Sequence, residues 1–168
     1  MESTKTETER KFLIRYPNTH ELSKKEGCEI FRLEQTYLLC DNGSLRVRKS
    51  EHCGNTEYIR NIKRRISDMS HYEDEKNISE ETYNELLLCA DTDRCTIKKT
   101  RYAIPHGMFL MEIDIYPFWQ DRAILEVELR SEDEPFEIPP YIQIIKEVTF
   151  DGRYSNKALA KEIITEEI

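Results

Sequence analysis

The sequence has few of the residues that build small metal knuckles, nucleotide-binding loops or membrane spans. Its five cysteines form no C-x-x-C pair and are odd in number, which argues against a zinc knuckle and a disulfide framework. The five glycines form neither a GxxxxGK[ST] nor a GxGxxG element, which excludes a P-loop and a dinucleotide-binding turn. No window approaches the ~18 consecutive apolar residues of a spanning helix, and residues 1–12 lack the apolar run of a secretory signal. We therefore expect a cytoplasmic protein with reduced cysteines.

Positive charge is in deficit as well. The chain carries 25 Lys and Arg against 33 Asp and Glu, a formal charge of −8, which argues against nonspecific binding to nucleic acid or to an anionic membrane. Charged residues make up 35% of the chain, above the ordinary ~25%, while 10% aromatics argue against disorder. The 168 residues contain no repeat or Gly/Ser linker, so we expect a single domain over 1–168, monomeric or homodimeric.

Three stretches have the spacing of helices. Residues 20–26 are short and polar, and residues 79–90 begin with a serine that can cap a helix. From residue 155 to the end of the sequence, a sparse apolar stripe has helical period. This last helix could close one end of the fold, and packing on an outer wall is the alternative.

Everything else that is periodic has period two, which is typical of strands with two unlike faces. Each segment has one charged and one mostly apolar face. Turn signals such as Asp41-Asn42-Gly43 and His106-Gly107 favour antiparallel hairpins. The sequence therefore predicts a mainly β (α+β) fold, an eight-stranded antiparallel closed β-barrel with a few helices packed outside. The predicted strands are 6–14, 44–50, 57–65, 71–78, 97–104, 110–116, 124–130 and 146–150.

The charged faces of most of these strands carry one sign each. An ordinary antiparallel sheet turns its apolar faces into a core and its charged faces to water. A solvated face more often mixes signs, because like charges side by side repel and opposite pairs across strands attract. Amphipathic helices also need apolar sheet surface to cover. We therefore expect a charged, water-filled bore and apolar outer faces.

The predicted bore is nearly balanced in charge. Its seven cations are Lys11, Arg46, Arg48, Lys63, Arg65, Lys99 and Arg101. Its eight carboxylates form four pairs: Glu7 and Glu9, Glu73 and Glu75, Glu112 and Asp114, and Glu126 and Glu128. Such an interior is tolerable only if it is hydrated and internally compensated. Carboxylate pairs suit Mg²⁺ or Mn²⁺, and clustered Arg and Lys suit phosphate oxygens. Together they predict a site for a metal-chelated triphosphate chain.

These residues resemble the CYTH superfamily, the triphosphate tunnel metalloenzymes. Glu7-Thr8-Glu9-Arg10-Lys11 is similar to the ExExK motif that opens the family. The similarity continues in order over nearly the whole chain, through Gln35-Thr36-Tyr37-Leu38, Leu45-Arg46-Val47-Arg48, Ile62-Lys63, Glu73 with Glu75, Lys99-Thr100-Arg101-Tyr102, Glu112-Ile113-Asp114, Leu125-Glu126-Val127-Glu128-Leu129 and Glu147-Val148-Thr149. It implies an eight-stranded tunnel, activity on triphosphate substrates and dependence on Mg²⁺ or Mn²⁺. The chain departs from the family at Asn61, where Thr is frequent, and at Arg64-Arg65, where a Gly is common.

We assign candidate roles on this basis. The predicted ligands of one or two divalent ions are Glu7, Glu9, Glu126 and Glu128, and an internal ladder of salt bridges is the alternative. The supporting acids, which would complete a second metal site or orient the basic side chains, are Glu73, Glu75, Glu112 and Asp114. The predicted phosphate-binding cations are Lys11, Arg46, Arg48, Lys63, Arg65, Lys99 and Arg101.

Lys11 and Tyr37 are the candidate catalytic residues. Lys11 shares a strand face with two acids and could touch the leaving or attacking oxygen. An adjacent ammonium would make the Tyr37 phenol a better base, and a buried structural tyrosine is the alternative. The four histidines fall in loops or strand ends without ligand spacing and are assigned no ligand role. Trp119 and Phe118 are expected to cover an outer apolar face, with base stacking as the alternative.

The leading functional hypothesis is an inorganic triphosphatase, a metal-dependent hydrolase that releases phosphate from tripolyphosphate, because no nucleoside pocket can be read from the sequence. ATP and thiamine triphosphate are alternative small-molecule substrates. A class IV adenylate cyclase and a thiamine triphosphatase are therefore alternatives. A non-catalytic polyphosphate or nucleotide sensor is a third, although a pure anion binder would need fewer carboxylates.

Overall fold

The computed structural model describes the chain from residue 2 to residue 168, with side chains described from Thr6 onward. The strands are β1 Glu2–Arg15, β2 Glu29–Leu38, β3 Ser44–His52, β4 Asn55–Arg65, β5 Ser70–Ile78, β6 Ile97–His106, β7 Phe109–Ile115, β8 Arg122–Leu129 and β9 Ile144–Glu147. The helices are α1 Thr19–Ser23, α2 Glu80–Leu87 and α3 Asn156–Leu159, with a 3₁₀ turn at Gly152–Tyr154. None of the helices in this part of the chain has the length and apolar character needed to cross a bilayer.

The long strand β1 closes the sheet on itself. The order of strands around the barrel is β1-β5-β4-β3-β2-β6-β7-β8. β1 pairs with β5 along residues 2–8 and with β8 along residues 8–15, and every pairing in the sheet is antiparallel. The predicted eight-stranded antiparallel closed barrel is therefore confirmed.

Two segments differ from the predicted set of strands. The pattern does not predict β2, because its inward residues Phe31 and Leu33 are apolar while Arg32 and Glu34 on its outer face are charged, the reverse of the other strands. The segment predicted at 146–150 does not enter the barrel. Instead β9 pairs with the second half of β1, beyond the end of β5.

The apolar faces of the strands point outward and are covered by helices and loops. One outer core contains Phe12, Ile14, Met111, Ile113, Leu125 and Val127, covered by Leu22 of α1 and by the loop residues Phe136, Ile138 and Ile142. A second outer core packs Leu38 and Val47 against Tyr83 of α2. This arrangement agrees with the prediction that the helices cover apolar sheet surface and leave the charged faces to the bore.

The C-terminal segment packs into one end of the barrel. Inward positions at this end are apolar or aromatic: Leu13, Tyr37, Ile97, Tyr116 and Ile124. They form one cluster with Trp119, Val148, Tyr154, Leu159, Ala160 and Ile164. The last segment thus contributes to closing this end, which is the first of the two predicted alternatives. The expectation that Trp119 and Phe118 cover an outer face is wrong, because Trp119 belongs to this cluster and Phe118 packs against it.

The predicted helix from residue 155 to the end of the sequence is wrong beyond Leu159. Two carbonyls that a longer helix would use are bonded elsewhere. The Ala160 carbonyl accepts a hydrogen bond from the backbone N–H of Cys95 at 2.7 Å, and the Ile164 carbonyl accepts one from Trp119 Nε1 at 2.9 Å. Tertiary hydrogen bonds therefore replace the helical ones.

The other two helices are close to their predicted positions but shorter. α1 begins at Thr19 and ends at Ser23, with the Asn18 side chain accepting a hydrogen bond from Glu21 N. α2 is capped by Ser79, whose side chain accepts a hydrogen bond from Thr82 N at 3.1 Å. This is the cap that the serine predicts.

Candidate active site in the barrel bore

The strand registers place the inward side chains at successive levels of the bore. Neighbouring strands are offset along the barrel, and a path through the cross-strand pairs that allows for this offset returns to its starting residue on β1. Along such paths the inward side chains fall into two central levels. One level holds Glu9, Glu126, Asp114, Lys99, Gln35, Arg46, Lys63 and His71. The next holds Glu7, Glu128, Glu112, Arg101, Leu33, Arg48, Asn61 and Glu73. The cavity has a volume of about 810 Å³. Every candidate site residue lines it except Asp114, which is fully buried against Lys99 and Arg101.

Asp114 is the centre of a buried ion cluster. It accepts hydrogen bonds from Lys99 Nζ at 2.5 Å and from Arg101 Nε at 2.7 Å. Arg101 also donates to Glu112 at 2.5 Å and to Glu126 at 3.0 Å. Two cations from β6 therefore share three carboxylates from β7 and β8. The adjacency of these strands produces the cluster, because Arg101 is the cross-strand partner of Asp114.

The pKa values in this cluster follow from burial and from the charge of Arg101. Burial and repulsion by Arg101 lower the pKa of Lys99 to about 8. Burial opposes the charge of Asp114, but Arg101 and Lys99 outweigh it and hold the pKa of Asp114 below its usual value. Burial raises the pKa of Glu112 against the opposing effect of Arg101. Asp114 thus stays ionised, while Lys99 loses its proton more easily than an ordinary lysine.

Lys11 lies between two predicted metal ligands. Its Nζ is 2.9 Å from Glu126 Oε1 and 3.8 Å from Glu9 Oε1. Burial opposes the ammonium charge, but the two carboxylates outweigh it and raise the pKa of Lys11 above its usual value. Lys11 and Arg101 also hold the pKa of Glu126 well below its usual range, although burial opposes this. Lys11 is therefore a cation at neutral pH.

Tyr37 lies beside Arg46, its cross-strand partner. Its hydroxyl accepts a long hydrogen bond of 3.5 Å from Gln35 Nε2, and its ring packs in the cluster at the closed end of the barrel. Among the side chains that the structure describes, no hydrogen bond joins Tyr37 to Lys11. A structural role accounts for these contacts, and the catalytic role of Tyr37 stays a prediction.

Lys63 binds the two acids at the start of the ExExK motif. Its Nζ lies 2.7 Å from Glu7 Oε2 and 3.9 Å from Glu9 Oε1. Burial opposes the charge of Lys63, but these acids raise its pKa. Contacts of this kind are the salt-bridge ladder that was the alternative to metal binding.

His71 is a bore residue that the sequence reasoning missed. It is the cross-strand partner of Glu7, it is half-buried, and it lines the cavity. Burial and nearby Lys63 lower the pKa of His71, so its ring is neutral at pH 7. The signal that could have found it is its place two residues before Glu73 in the period-two pattern.

Asn61 connects the supporting acids. Its Nδ2 donates to Glu73 Oε1 at 2.7 Å and to Glu75 Oε2 at 3.2 Å. Arg48 Nη2 lies 3.5 Å from the same oxygen of Glu75. The departure from the family at this position therefore places a hydrogen-bond donor where it can hold two carboxylates.

The arginines of β3 retain unsatisfied donors. The Nε atoms of Arg46 and Arg48 are buried without a hydrogen-bond partner. Within the described residues, Arg46 has no carboxylate in ion-pair distance, whereas its neighbours Lys63 and Arg48 do. Arg65 differs from both, since its side chain is 69% exposed and pairs with Asp68 at the rim of the bore.

The donor set fits a divalent cation in its chemistry. Glu9 and Glu128 are direct cross-strand partners on β1 and β8, and Glu7 lines the same cavity. These are hard oxygen ligands of the type that Mg²⁺ and Mn²⁺ prefer. Among the described side chains, however, no group of three or more acidic, His or Cys ligands is gathered at metal-binding spacing. The ammonium groups of Lys11 and Lys63 lie against these acids, so an ion would have to replace them.

The C-terminal segment adds wall residues that the sequence does not predict. They are Val148, Thr149, Phe150, Asp151, Gly152, Ser155, Asn156 and Lys157. Lys157 Nζ donates to the Gly43 carbonyl at 2.7 Å, which ties the segment to the turn between β2 and β3. Only the tertiary structure brings these residues to the bore.

A closed antiparallel barrel whose inward faces combine clustered cations with paired carboxylates defines a triphosphate tunnel protein of the CYTH class. Similarities to known proteins support this assignment to the class. The chain is 36% identical over 163 residues to an inorganic triphosphatase from Nitrosomonas europaea, covering 94% of this chain and 99% of that protein. A solved structure of an inorganic triphosphatase is 30% identical with a TM-score of 0.56, covering 94% of this chain and 95% of the other.

A protein from Pyrococcus horikoshii OT3 has the same fold, with a TM-score of 0.55 at 22% identity over 76% of this chain and 80% of its own. No family model matches the chain. From the first two similarities, the chain belongs to the inorganic triphosphatase family of triphosphate tunnel metalloenzymes, which generally depend on a divalent metal.

Proposed function

We propose that this protein hydrolyses inorganic tripolyphosphate to pyrophosphate and orthophosphate with Mg²⁺ or Mn²⁺. The observation that carries the proposal is the bore itself, in which clustered cations and paired carboxylates line one cavity. Phosphoryl transfer depends chiefly on positioning and on stabilisation of charge. A bore of this kind supplies both, and the family supports the substrate.

The cations of the bore would hold the phosphate chain. Arg46 is the first candidate, because its charge has no carboxylate in ion-pair distance among the described residues and its Nε lacks a partner. Arg48 shares the missing Nε partner. Lys63, Lys99 and Arg101 are held by carboxylates that would release them toward a more highly charged anion. Arg65 at the rim would contact only a chain that extends out of the bore.

Glu7, Glu9, Glu126 and Glu128 would hold the divalent ion, with Glu73, Glu75, Glu112 and Asp114 orienting the basic side chains. When bound, the ion supplies Lewis-acid stabilisation of the phosphate oxygens. Because the acids of β1 and β8 raise the pKa of Lys11, its ammonium is a charge stabiliser for a phosphate oxygen and not a general base. Water attacks the terminal phosphorus and the bond to the bridging oxygen breaks. The role of Tyr37 as a catalytic residue is part of this proposal.

The test is product analysis with purified protein. Tripolyphosphate, ATP and thiamine triphosphate are each incubated with Mg²⁺, with Mn²⁺ and with chelator, and orthophosphate, pyrophosphate and cyclic AMP are measured. We expect equal release of orthophosphate and pyrophosphate from tripolyphosphate, abolished by chelator. Cyclic AMP with pyrophosphate from ATP would instead identify a cyclase, and binding without turnover in either metal would identify a sensor.

Glu7→Gln tests the metal assignment. We expect turnover to fall by at least ~10²-fold, as for removal of one major electrostatic stabiliser. The matched control is Glu51→Gln, since Glu51 pairs with Lys49 on the outer side of β3 and is 43% exposed. Near-normal turnover of Glu7→Gln would remove Glu7 from the site. The cytoplasmic location, the single domain over 1–168 and the monomeric or homodimeric state stay predictions.

A further inference from the structure

Asn61 lies between the basic strand β3 and the acidic strand β5. On β4 it is the cross-strand partner of Arg46 on one side and of Glu75 on the other. Its side chain is 1% exposed, so its polar atoms meet protein groups and little solvent. An uncharged side chain therefore separates cations that are proposed to hold phosphate from two of the supporting acids.

Both donor protons of the Asn61 amide are used by carboxylates. Nδ2 donates to Glu73 Oε1 at 2.7 Å and to Glu75 Oε2 at 3.2 Å. An amide nitrogen carries two hydrogens, so these bonds use its full donor capacity. Within the described residues, Oδ1 is buried without a hydrogen-bond partner. Because an unpaired buried acceptor costs free energy, the two acids are what hold the amide in this orientation.

Glu73 is a buried carboxylate that is held by an amide in place of a cation. It is 6% exposed, and its cross-strand partner is Lys63. Lys63 Nζ lies instead 2.7 Å from Glu7 Oε2. Among the described side chains, no cation is in ion-pair distance of Glu73. The hydrogen bond from Asn61 therefore occupies an acid that has no ion pair.

The arginines across β4 from these acids keep free donors. Arg46 and Arg48 each have a buried Nε without a hydrogen-bond partner in the described part of the chain. Arg48 Nη2 approaches Glu75 only to 3.5 Å, at the same oxygen that accepts from Asn61. Burial opposes the charge of Arg46, but nearby groups that include Glu73 raise its pKa. The acids of β5 are thus close to both arginines without a short ion pair to either.

Cations and acids on the adjacent strands β6 and β7 are bonded directly. Arg101 donates to Glu112 at 2.5 Å and to Asp114 at 2.7 Å. Lys99 donates to Asp114 at 2.5 Å. Charge-assisted hydrogen bonds of this length are strong, and a cation held in this way must leave its carboxylate before it can bind phosphate. The arginines of β3 do not have this obstacle.

We infer that Asn61 is a positioning residue that holds Glu73 and Glu75 away from the arginines of β3, so that Arg46 and Arg48 stay available for the phosphate chain. The inference rests on the proposed function, because it concerns the same phosphate site. Asn61 acts by occupying carboxylate oxygens that would otherwise accept hydrogen bonds from the arginines. Without its amide, the two acids are free to turn toward them.

Binding of inorganic tripolyphosphate tests this role without turnover. Calorimetric titration in chelator compares wild type with Asn61→Leu, which keeps a similar volume and removes both donors. Because hydrogen bonds to charged groups are strong, arginines that become paired with acids should raise the Kd by at least ~5-fold. Asn61→Thr retains one donor and should give an intermediate Kd, and it guards against misfolding of the Leu variant. The matched control is Asn84→Leu at an exposed position of α2, which should leave the Kd unchanged.

A double-mutant cycle separates positioning from structural damage. If the released Glu75 competes for Arg48, Glu75→Gln should tighten tripolyphosphate binding at least ~3-fold more in the Asn61→Leu background than in the wild-type background. A merely structural defect at Asn61 would give Glu75→Gln the same effect in both. In steady-state kinetics, Asn61→Leu should raise the KM and leave kcat within ~2-fold, because the arginines are lost to binding and the reacting groups stay in place.

Two results would contradict the role of Asn61: Kd values of both Asn61 variants within ~2-fold of wild type, or equal effects of Glu75→Gln in the two backgrounds. Failure of the proposed function is a separate observation. It would appear as wild-type protein that binds tripolyphosphate but releases no phosphate with either metal. Wild-type protein that does not bind tripolyphosphate would overturn both the phosphate site and the role of Asn61.

Discussion

Replacing Asp114 by Asn would remove the anion at the centre of the buried cluster and leave its two cations in place. The Asp114 side chain has no exposed surface, and it accepts from Lys99 at 2.5 Å and from Arg101 at 2.7 Å. Arg101 keeps Glu112 and Glu126 as partners. Lys99 is 1% exposed, and Asp114 is its ion-pair partner within the described residues. The variant should therefore act mainly through an uncompensated Lys99.

Breaking a buried ion pair by removing one partner destabilises a protein by about 3–5 kcal/mol, because the remaining charge stays buried. For a chain of this size, each kcal/mol lowers the melting temperature by about 2–4 °C, so we expect a decrease of about 6–20 °C. Asn keeps the volume and one hydrogen-bond acceptor of Asp, which places the expected effect toward the lower end of this range.

The stability lost in Asp114→Asn should depend on pH. The pKa of Lys99 is lowered from 10.5 to about 8 by burial and by Arg101. Between these values the unfolded chain holds a proton that the folded protein has lost, so this group makes the folded state more stable as pH rises. Without Asp114 the pKa of Lys99 in the folded variant falls further. The stability of the variant therefore begins to rise with pH at a lower pH than that of the wild type. The stability difference between wild type and variant should therefore narrow from pH 7 to pH 9.

Urea denaturation at pH 7 and pH 9 measures both expectations. Asp74→Asn is the matched control, because Asp74 is 25% exposed and pairs with Arg60 on the outer face of β5 at 3.1 Å. A partly exposed surface pair of this kind contributes about 0–1 kcal/mol. The reasoning fails if Asp114→Asn costs no more than the control, or if the difference between wild type and variant is the same at both pH values.

Three further variants probe the phosphate site, the turn beside it and the closed end. Arg48→Ala should raise the KM for tripolyphosphate by about tenfold or more, as expected for loss of a hydrogen bond to a charged group. The control Arg60→Ala, on the outer face of the next strand, should leave the KM unchanged. Steady-state kinetics measures both. Gly43 has a φ of +81° and an added Cβ would lie 2.5 Å from a backbone oxygen of β4, whereas Gly54 at +79° has open space. Gly54→Ala should cost about 1–2 kcal/mol and Gly43→Ala clearly more by denaturation, and equal losses would contradict the clash. Leu159→Ala should destabilise by about 2–5 kcal/mol, since Leu159 is 2% exposed in the end cluster; a loss below ~1 kcal/mol would show that this segment is not packed as described.

The inward faces of most strands could be predicted because period two is a local property. Glu7, Glu9 and Lys11 lie on one face of β1 wherever this strand is placed, because side chains two residues apart in a strand point to the same side. The same pattern could not predict the strand β2. Its inward Phe31 and Leu33 reverse the polarity that marks the other strands, so a rule that expects charge inside does not find it.

Which residues of different strands meet in the bore could not be predicted from the pattern. Lys63 on β4 meets Glu7 on β1 at 2.7 Å, and Tyr37 has Arg46 as its cross-strand partner. These outcomes depend on the stagger of strands that are distant in sequence. A shift of register by two residues would keep every face and change every partner.

By itself the sequence determined the class of fold, the charge of the bore and the kinds of ligand that its carboxylates and cations suit, because alternation along a strand and the chemistry of side chains are both local. The tertiary structure decided which acid holds which lysine, that Phe31 and Leu33 of β2 face the bore beside Arg101 and Lys99, and that the C-terminal segment occupies one end of the barrel. Those features arise from strand order and stagger and from hydrogen bonds such as that of Trp119 to Ile164, which join parts of the chain that no short-range pattern connects.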